Sequence, residues 1–274
     1  MRYRQLLTML ALCAFANQGA IPQSAQAANQ DDEDIKNAVF RYEAAIEQNP
    51  KNQKNRIKLG KAYLLQGELK KAEEQFKEAI KLSPNESEAH FGLARVLMRE
   101  GNMQEATESM RDAAKHDPNN PDVHHRLGQL LLRTDKADEA IASFKQAIKL
   151  NADHAAAHRD LGAALGTRGD IDAQIEEEKK AVSLAPDDAD ANFYLGSAYA
   201  MSGNAKDATK YLQRCVELDK KNSEAHRMLA GVLASDHRFA EAVKSAQTAL
   251  DLAPDNKACK DTLQKIKTAE AKSK

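Results

Sequence analysis

Apolar and small residues recur along this chain with a period of 34, marked by Leu59, Leu93, Leu127, Leu161, Leu195, Leu229 and Leu263. With this leucine as the seventh residue of each repeat, the eighth is small through six full repeats: Gly60, Ala94, Gly128, Gly162, Gly196 and Ala230. Small residues there let two helices approach closely. The eleventh position is Tyr63, Leu97, Leu131, Leu165, Tyr199 and Leu233, and the twentieth is Ala72, Ala106, Ala140, Gln174, Ala208 and Ala242. The twenty-seventh is Ala79, Ala113, Ala147, Ala181, Cys215 and Ala249. Spacings of three and four residues predict two amphipathic helices per repeat. Gly67, Gly101, Gly169 and Gly203 fall at the turn between them, and Pro84, Pro118, Pro186 and Pro254 stop the second helix. A helix-turn-helix unit copied at this period predicts an all-α repeat array.

The stretch from Arg56 to Pro84 carries Leu59, Gly60, Tyr63, Ala72, Phe76 and Pro84 in the order Leu-Gly-x2-Tyr, Ala-x3-Phe, Pro. In this it resembles the tetratricopeptide repeat family. The resemblance covers roughly residues 35 to 267. It implies a right-handed α-solenoid of antiparallel helix pairs whose first helices line a concave groove. Such repeats serve many unrelated partners, so it implies binding without naming what is bound.

The predicted organisation is a signal peptide over 1–27, an acidic segment with a half-repeat capping helix over 28–52, six repeats over 53–256, and a capping helix over 257–274. Arg2 and Arg4 form a basic start, Leu6 to Ala16 an apolar run, and Ala25-Gln26-Ala27 a small-x-small cleavage site. A membrane span needs about 20 apolar residues, more than this run supplies, although retention as an anchor stays an alternative. Cys13 follows the bulky Leu12, which disfavours lipidation. The expected location is a bacterial periplasm or the exterior. The acidic run Asp31–Asp34 is expected to precede the half-repeat helix and favour its N-terminus, while Gln264 and Lys267 give the last helix a polar outer face.

The full chain has 40 basic and 41 acidic residues, so a bulk nucleic-acid binder is disfavoured. Loss of Arg2 and Arg4 on cleavage takes the net charge to −3. Cys215 and Cys259 lie a whole repeat apart. Neighbouring helices sit about 8–10 Å apart, farther than the roughly 7 Å between Cα atoms that a disulfide spans. Both read as small core residues. His90, His124, His158 and His226 repeat at the fourth position, where the family pattern has a large flat side chain. Ligands that far apart cannot share one ion, so these histidines are expected to pack, and no metal is expected. No Gly-rich phosphate loop or nucleophile motif appears, and the short turns leave no room for a catalytic insertion. No enzyme activity and no cofactor are expected. Asn85-Glu86-Ser87 is a sequon of low weight. Repeat four replaces core residues with Gln174 and Glu178, which reads either as a tolerated defect with Glu178 snorkelling outward or as a soft joint.

At 100° per residue the face opposite the core on each first helix holds positions 2, 5, 6, 9, 12 and 13. Over repeats one to three it carries Lys54, Lys58, Lys61, Arg95, Arg99, Arg126 and Arg133 against Glu88 and Asp122. Ile57, Leu64, Phe91, Met98 and Leu132 lie among these charges, with Phe193, Tyr194 and Met201 further on. Charge mixed with apolar anchors suits a peptide groove. The expected partner-binding residues are Lys58, Lys61, Phe91, Arg95, Met98, Arg99, Arg126, Leu132, Arg133 and Arg159. Position nine reads Lys61, Arg95 and Gln129, which does not match the clamp that some relatives use for chaperone tails. The reading is an exported scaffold that holds an extended, acidic segment of another protein. The alternatives are a non-catalytic accessory subunit of an envelope enzyme or cofactor-maturation complex, or a purely structural spacer.

Overall fold

The computed structural model describes residues 23–273, with side chains from residue 33 onward. The basic start, the apolar run and Cys13 of the expected signal peptide lie outside the described residues. Every element among the described residues is a helix. They fall into two compact units that meet in sequence between residues 100 and 101. The first unit holds α1 (Gln23–Gln48), α2 (Gln53–Gln66), α3 (Leu69–Leu82) and α4 (Ser87–Glu100). The second holds α5 (Met103–His116), α6 (Pro121–Arg133), α7 (Ala137–Leu150), α8 (Ala155–Thr167) and α9 (Ile171–Leu184). It continues with α10 (Ala189–Met201), α11 (Ala205–Leu218), α12 (Ser223–Ser235), α13 (Phe239–Leu252) and α14 (Lys257–Ser273).

Local signals set these boundaries. Asn52, Asn120, Asp170, Asp188, Asn204 and Asn222 each cap a helix N-terminus with a side-chain oxygen. Position fifteen is left-handed throughout the array. Gly67 takes it at φ 79°, and Asp135 and His237, from residue types that tolerate this region, take it at φ 58°. Second helices bury one residue in every three or four: Ala72, Phe76 and Ala79 in α3, and Ala140, Phe144 and Ala147 in α7. Each of these is fully buried.

Consecutive helices within each unit pack on one another, and first helices also touch the next first helix, as α2 touches α4 and α8 touches α10. Phe76 explains two glycines in the first unit. Its ring lies against both Gly60 of α2, where a Cβ would be tight at 3.0 Å, and Gly92 of α4, where a Cβ would collide at 2.2 Å. In the second unit Phe144 does the same at Gly128, where a Cβ would stand 2.5 Å from the ring.

The ends differ in how well they follow expectation. Helix α1 starts at Gln23, so the acidic run lies inside it and not ahead of it. The preceding Ala- and Gln-rich stretch offers good helix formers and no stop. At the other end α14 buries Cys259, Leu263 and Ile266 and exposes Gln264 and Lys267. Cys215 and Cys259 are both free thiols, fully buried. Burial pushes the Cys215 thiol up to about 11.

Repeat four overturns the snorkelling expectation. Glu178 is fully buried, and both carboxylate oxygens lack a hydrogen-bond partner. A side chain leaves for solvent only if its helix position borders the surface. Position twenty-four points straight at Gly162 of α8, where a Cβ would stand 2.7 Å from Glu178 Oε1.

Candidate partner-binding surfaces

The structure divides the expected binding residues between the two units. In the first unit Lys58 and Lys61 project from α2, and Phe91, Arg95, Met98 and Arg99 from α4. Lys58, Arg95 and Arg99 are exposed, while Phe91 and Met98 are half-buried. Lys61 pairs with Glu88, so its charge is partly spent within the unit. Arg99 Nη1 donates to Leu64 O at 2.7 Å, which satisfies a carbonyl at the end of α2 and orients the guanidinium across the face. Leu65, 63% exposed, stands next to that carbonyl. Two of the expected apolar residues are not on the surface. Ile57 and Leu64 are buried core residues. Helix α2 packs against α1, α3 and α4, so its positions five and twelve are covered where a single-helix projection treats them as open.

In the second unit Arg126 and Arg133 are exposed on α6 with Leu132 half-buried between them. Arg126 Nη1 donates to Gln129 Oε1 at 2.9 Å. Arg159 departs from the expected role. It is held by Asp160 at 3.2 Å and Asp188 at 2.7 Å, so its charge is consumed inside the fold. Asp188 also caps α10, which makes Arg159 a tie between repeats four and five. Further along, Phe193 and Tyr194 are half-buried and Met201 is 57% exposed.

The Asp160 cluster was missed by sequence reasoning. Asp160 accepts from His125 Nε2 at 2.8 Å and from Gln129 Nε2 at 2.6 Å. Burial pushes its carboxyl up, but these hydrogen bonds and the Arg159 charge outweigh that and hold it below the usual carboxylate value. The His154 ring lies tilted against that of His125 with centroids 4.7 Å apart, and its Nε2 lies 3.3 Å from Asp122 Oδ1, off the line of a hydrogen bond. A usable signal exists in the numbering. Cross-repeat polar pairs are separated by about one period, as in His125 to Asp160 or Arg159 to Asp188. Two open clefts, of 310 and 410 Å³, lie along second helices, beside Lys179 and Lys180 of α9 and beside Tyr211 and Arg214 of α11. The first-helix projection carried no sign of them.

The fourth-position histidines are structural. Each points Nε2 at the carbonyl six residues earlier: His90 to Pro84 O at 2.8 Å, His124 to Pro118 O at 2.9 Å, and His158 to Ala152 O at 3.0 Å. Asn192 Nδ2 makes the same bond to Pro186 O in repeat five. A carbonyl can only accept, so these ring nitrogens carry the proton. The donor fastens the turn between repeats. Among the described residues no group of three or more His, Cys, Asp or Glu side chains could hold a metal ion, and no helix is long and apolar enough to cross a membrane.

This repeated geometry has counterparts among known proteins. The family model described as the cilia and flagella-associated protein 70 C-terminal domain matches residues 20–198, and the tetratricopeptide repeat model matches 179–223 and 195–257. The chain belongs to the family of that C-terminal domain and is a tetratricopeptide repeat protein. No curated protein matches the sequence. Solved tetratricopeptide structures are similar in fold. A chain of the APC/C hetero-tetramer Cut9-Hcn1 is 17% identical with a TM-score of 0.70 over 85% of this chain, which spans only 46% of that chain's length. YrrB, described as a TPR protein with an unusual peptide-binding site, is 22% identical with a TM-score of 0.60, covering 69% of this chain and 97% of its own. PilW, described as a widely conserved type IV pilus biogenesis factor, is 16% identical with a TM-score of 0.67, covering 77% and 98%.

Proposed function

We propose that this tetratricopeptide array is an exported, non-catalytic scaffold whose basic first-helix faces, one in each unit, hold extended acidic sequence of another protein. The observations that carry the reading are exposed Lys58, Arg95 and Arg99 beside half-buried Phe91 and Met98 in the first unit, and exposed Arg126 and Arg133 beside half-buried Leu132 in the second. Arginine forks match carboxylates in geometry, and half-buried apolar side chains are the anchors that slow dissociation. The peptide-binding site in the description of YrrB supports peptide binding by a chain of this fold. Arg159, spent on Asp160 and Asp188, drops out of the set.

The test compares two triple charge reversals in the full chain. Arg95→Glu with Arg126→Glu and Arg133→Glu should weaken capture of a labelled Glu- and Leu-rich peptide about tenfold or more, at up to about 1 kcal/mol per pair, and leave the remainder less sensitive to salt. Lys70→Glu with Lys77→Glu and Lys145→Glu, on second helices, should leave capture unchanged. Equal capture by both variants sinks the groove reading. The export clause rests on Arg2, Arg4, the apolar run and Ala25-Gln26-Ala27. Its measurement is the intact mass of protein from the exported fraction, expected to begin at Ala28. Exported material that retains Met1 would contradict cleavage.

A further inference from the structure

Position twenty-four of the repeat sits at the centre of each helix pair, filled by Phe76, Met110, Phe144, Leu212 and Ala246, all fully buried. In repeat four it is Glu178, also fully buried. One turn earlier on α9, Gln174 is 3% exposed with Oε1 unpartnered. The two side chains lie against Gly162 and Gly166, themselves one turn apart on α8, and a Cβ at either glycine would collide with them. The α8–α9 interface is thus a shape-matched seam of two glycines against two long polar side chains, with three buried oxygens left without donors.

The surroundings do not favour a carboxylate. On α8 Arg159 faces the carboxyl and is already bound to Asp160 and Asp188. His158 of α8 is engaged with Glu177 Oε2 at 2.6 Å and with Ala152 O. Asp160 on α8, Asp188 at the start of α10 and Glu177 on α9 all add negative charge, and Tyr194 of α10 also faces the site. Lys179 and Lys180 on α9 pair with Glu176 and Glu177 and are about half exposed to solvent. Arg159 compensates an ionised Glu178 only in part, and the cost of burying a poorly compensated charge is large.

We propose that the α8–α9 pair is a proton-coupled hinge: packed, it keeps Glu178 as a neutral carboxylic acid, and opening it releases that proton to solvent. Burial, only partly offset by Arg159, pushes the carboxyl from its ordinary 4.5 up to about 9 in the packed state. Once opened and hydrated, the group returns to the ordinary value. Between those two values the packed state holds one more proton than the open state, so rising pH favours opening and falling pH favours closure. Acidification therefore tightens repeat four across the whole physiological range, although Glu178 in the packed protein stays protonated throughout that range.

The test is amide hydrogen exchange of the full chain between pH 6.5 and 8.5, corrected for the intrinsic pH dependence of exchange. His154 and His226, which burial holds low, regain their ordinary value on opening and so favour opening as pH falls, opposite to Glu178, and the upper half of the range is therefore the decisive one. The opening equilibrium of residues 155–184 should rise by up to about tenfold per pH unit. Residues 205–252 should show no such rise, and Glu178→Gln should abolish it in 155–184. A flat wild-type profile, a rise of equal size along the whole second unit, or a Glu178→Gln protein that follows the wild type overturns the proposal. Should Glu178→Gln fail to fold, carbon-13 NMR of glutamate-labelled wild type decides. A protonated-acid resonance at pH 7.5 is expected, and a complete set of carboxylate resonances refutes it.

Discussion

At the scale of single residues, the repeat is governed by what faces the small position eight. Gly128 owes its identity to Phe144, whose ring leaves no room for a methyl group. Gly128→Ala should therefore destabilise the second unit by about 1–3 kcal/mol, the usual cost of overpacking a core. Adding Phe144→Met should return part of that loss, because repeat two has Ala94 at this position and Met110 sixteen residues later, both fully buried. Urea unfolding of the two variants measures both effects, and an additive double mutant would mean that ring and methyl do not collide. The small residue at this position was legible in the sequence, and its reason in each repeat becomes plain once the residue sixteen positions later is placed opposite. Glu178 was legible only as a departure. A one-helix projection shows which residues break a pattern, but not whether the surface is close enough for a polar head to reach water.

At the scale of helices, many boundaries follow from caps and stops that the sequence displays. The N-termini of α3, α5, α7 and α13 carry no side-chain cap, and α1 runs back to Gln23 through a stretch rich in Ala and Gln. Repeat four is the helix pair in which an apolar rule has been broken, so restoring the rule should strengthen it. Gln174→Ala with Glu178→Phe removes three orphaned oxygens and recreates the Phe-on-Gly contact of repeats one and three. The expected gain is about 1–3 kcal/mol in urea denaturation, the range for relieving buried unsatisfied groups and burying one large apolar side chain. A loss of stability would show that the two polar side chains have partners, such as ordered water, that earn their place.

At the scale of the whole chain, the 34-residue period was enough to give the helix order and the family. The binding surface was legible in part. Arg95, Arg126 and Arg133 are exposed as the helical projection required, whereas Ile57 and Leu64 are covered and Arg159 is tied down. Both failures have one cause. Burial and charge pairing between successive first helices depend on residues a full period away, which a single repeat viewed alone does not contain. A net charge of −1 likewise hides the cationic face, since sign and magnitude over the whole chain say little about their distribution.

The ring of Phe76 touches glycines on both α2 and α4. One side chain therefore belongs to two interfaces, the one inside its repeat and the one leading to the next. Neither neighbouring helix can detach without uncovering the same aromatic surface, so the three helices gain or lose their order together. The smallest cooperative piece of this part of the protein is accordingly larger than the helix pair that the sequence repeats, and a fragment cut at a repeat boundary would leave half of a contact behind.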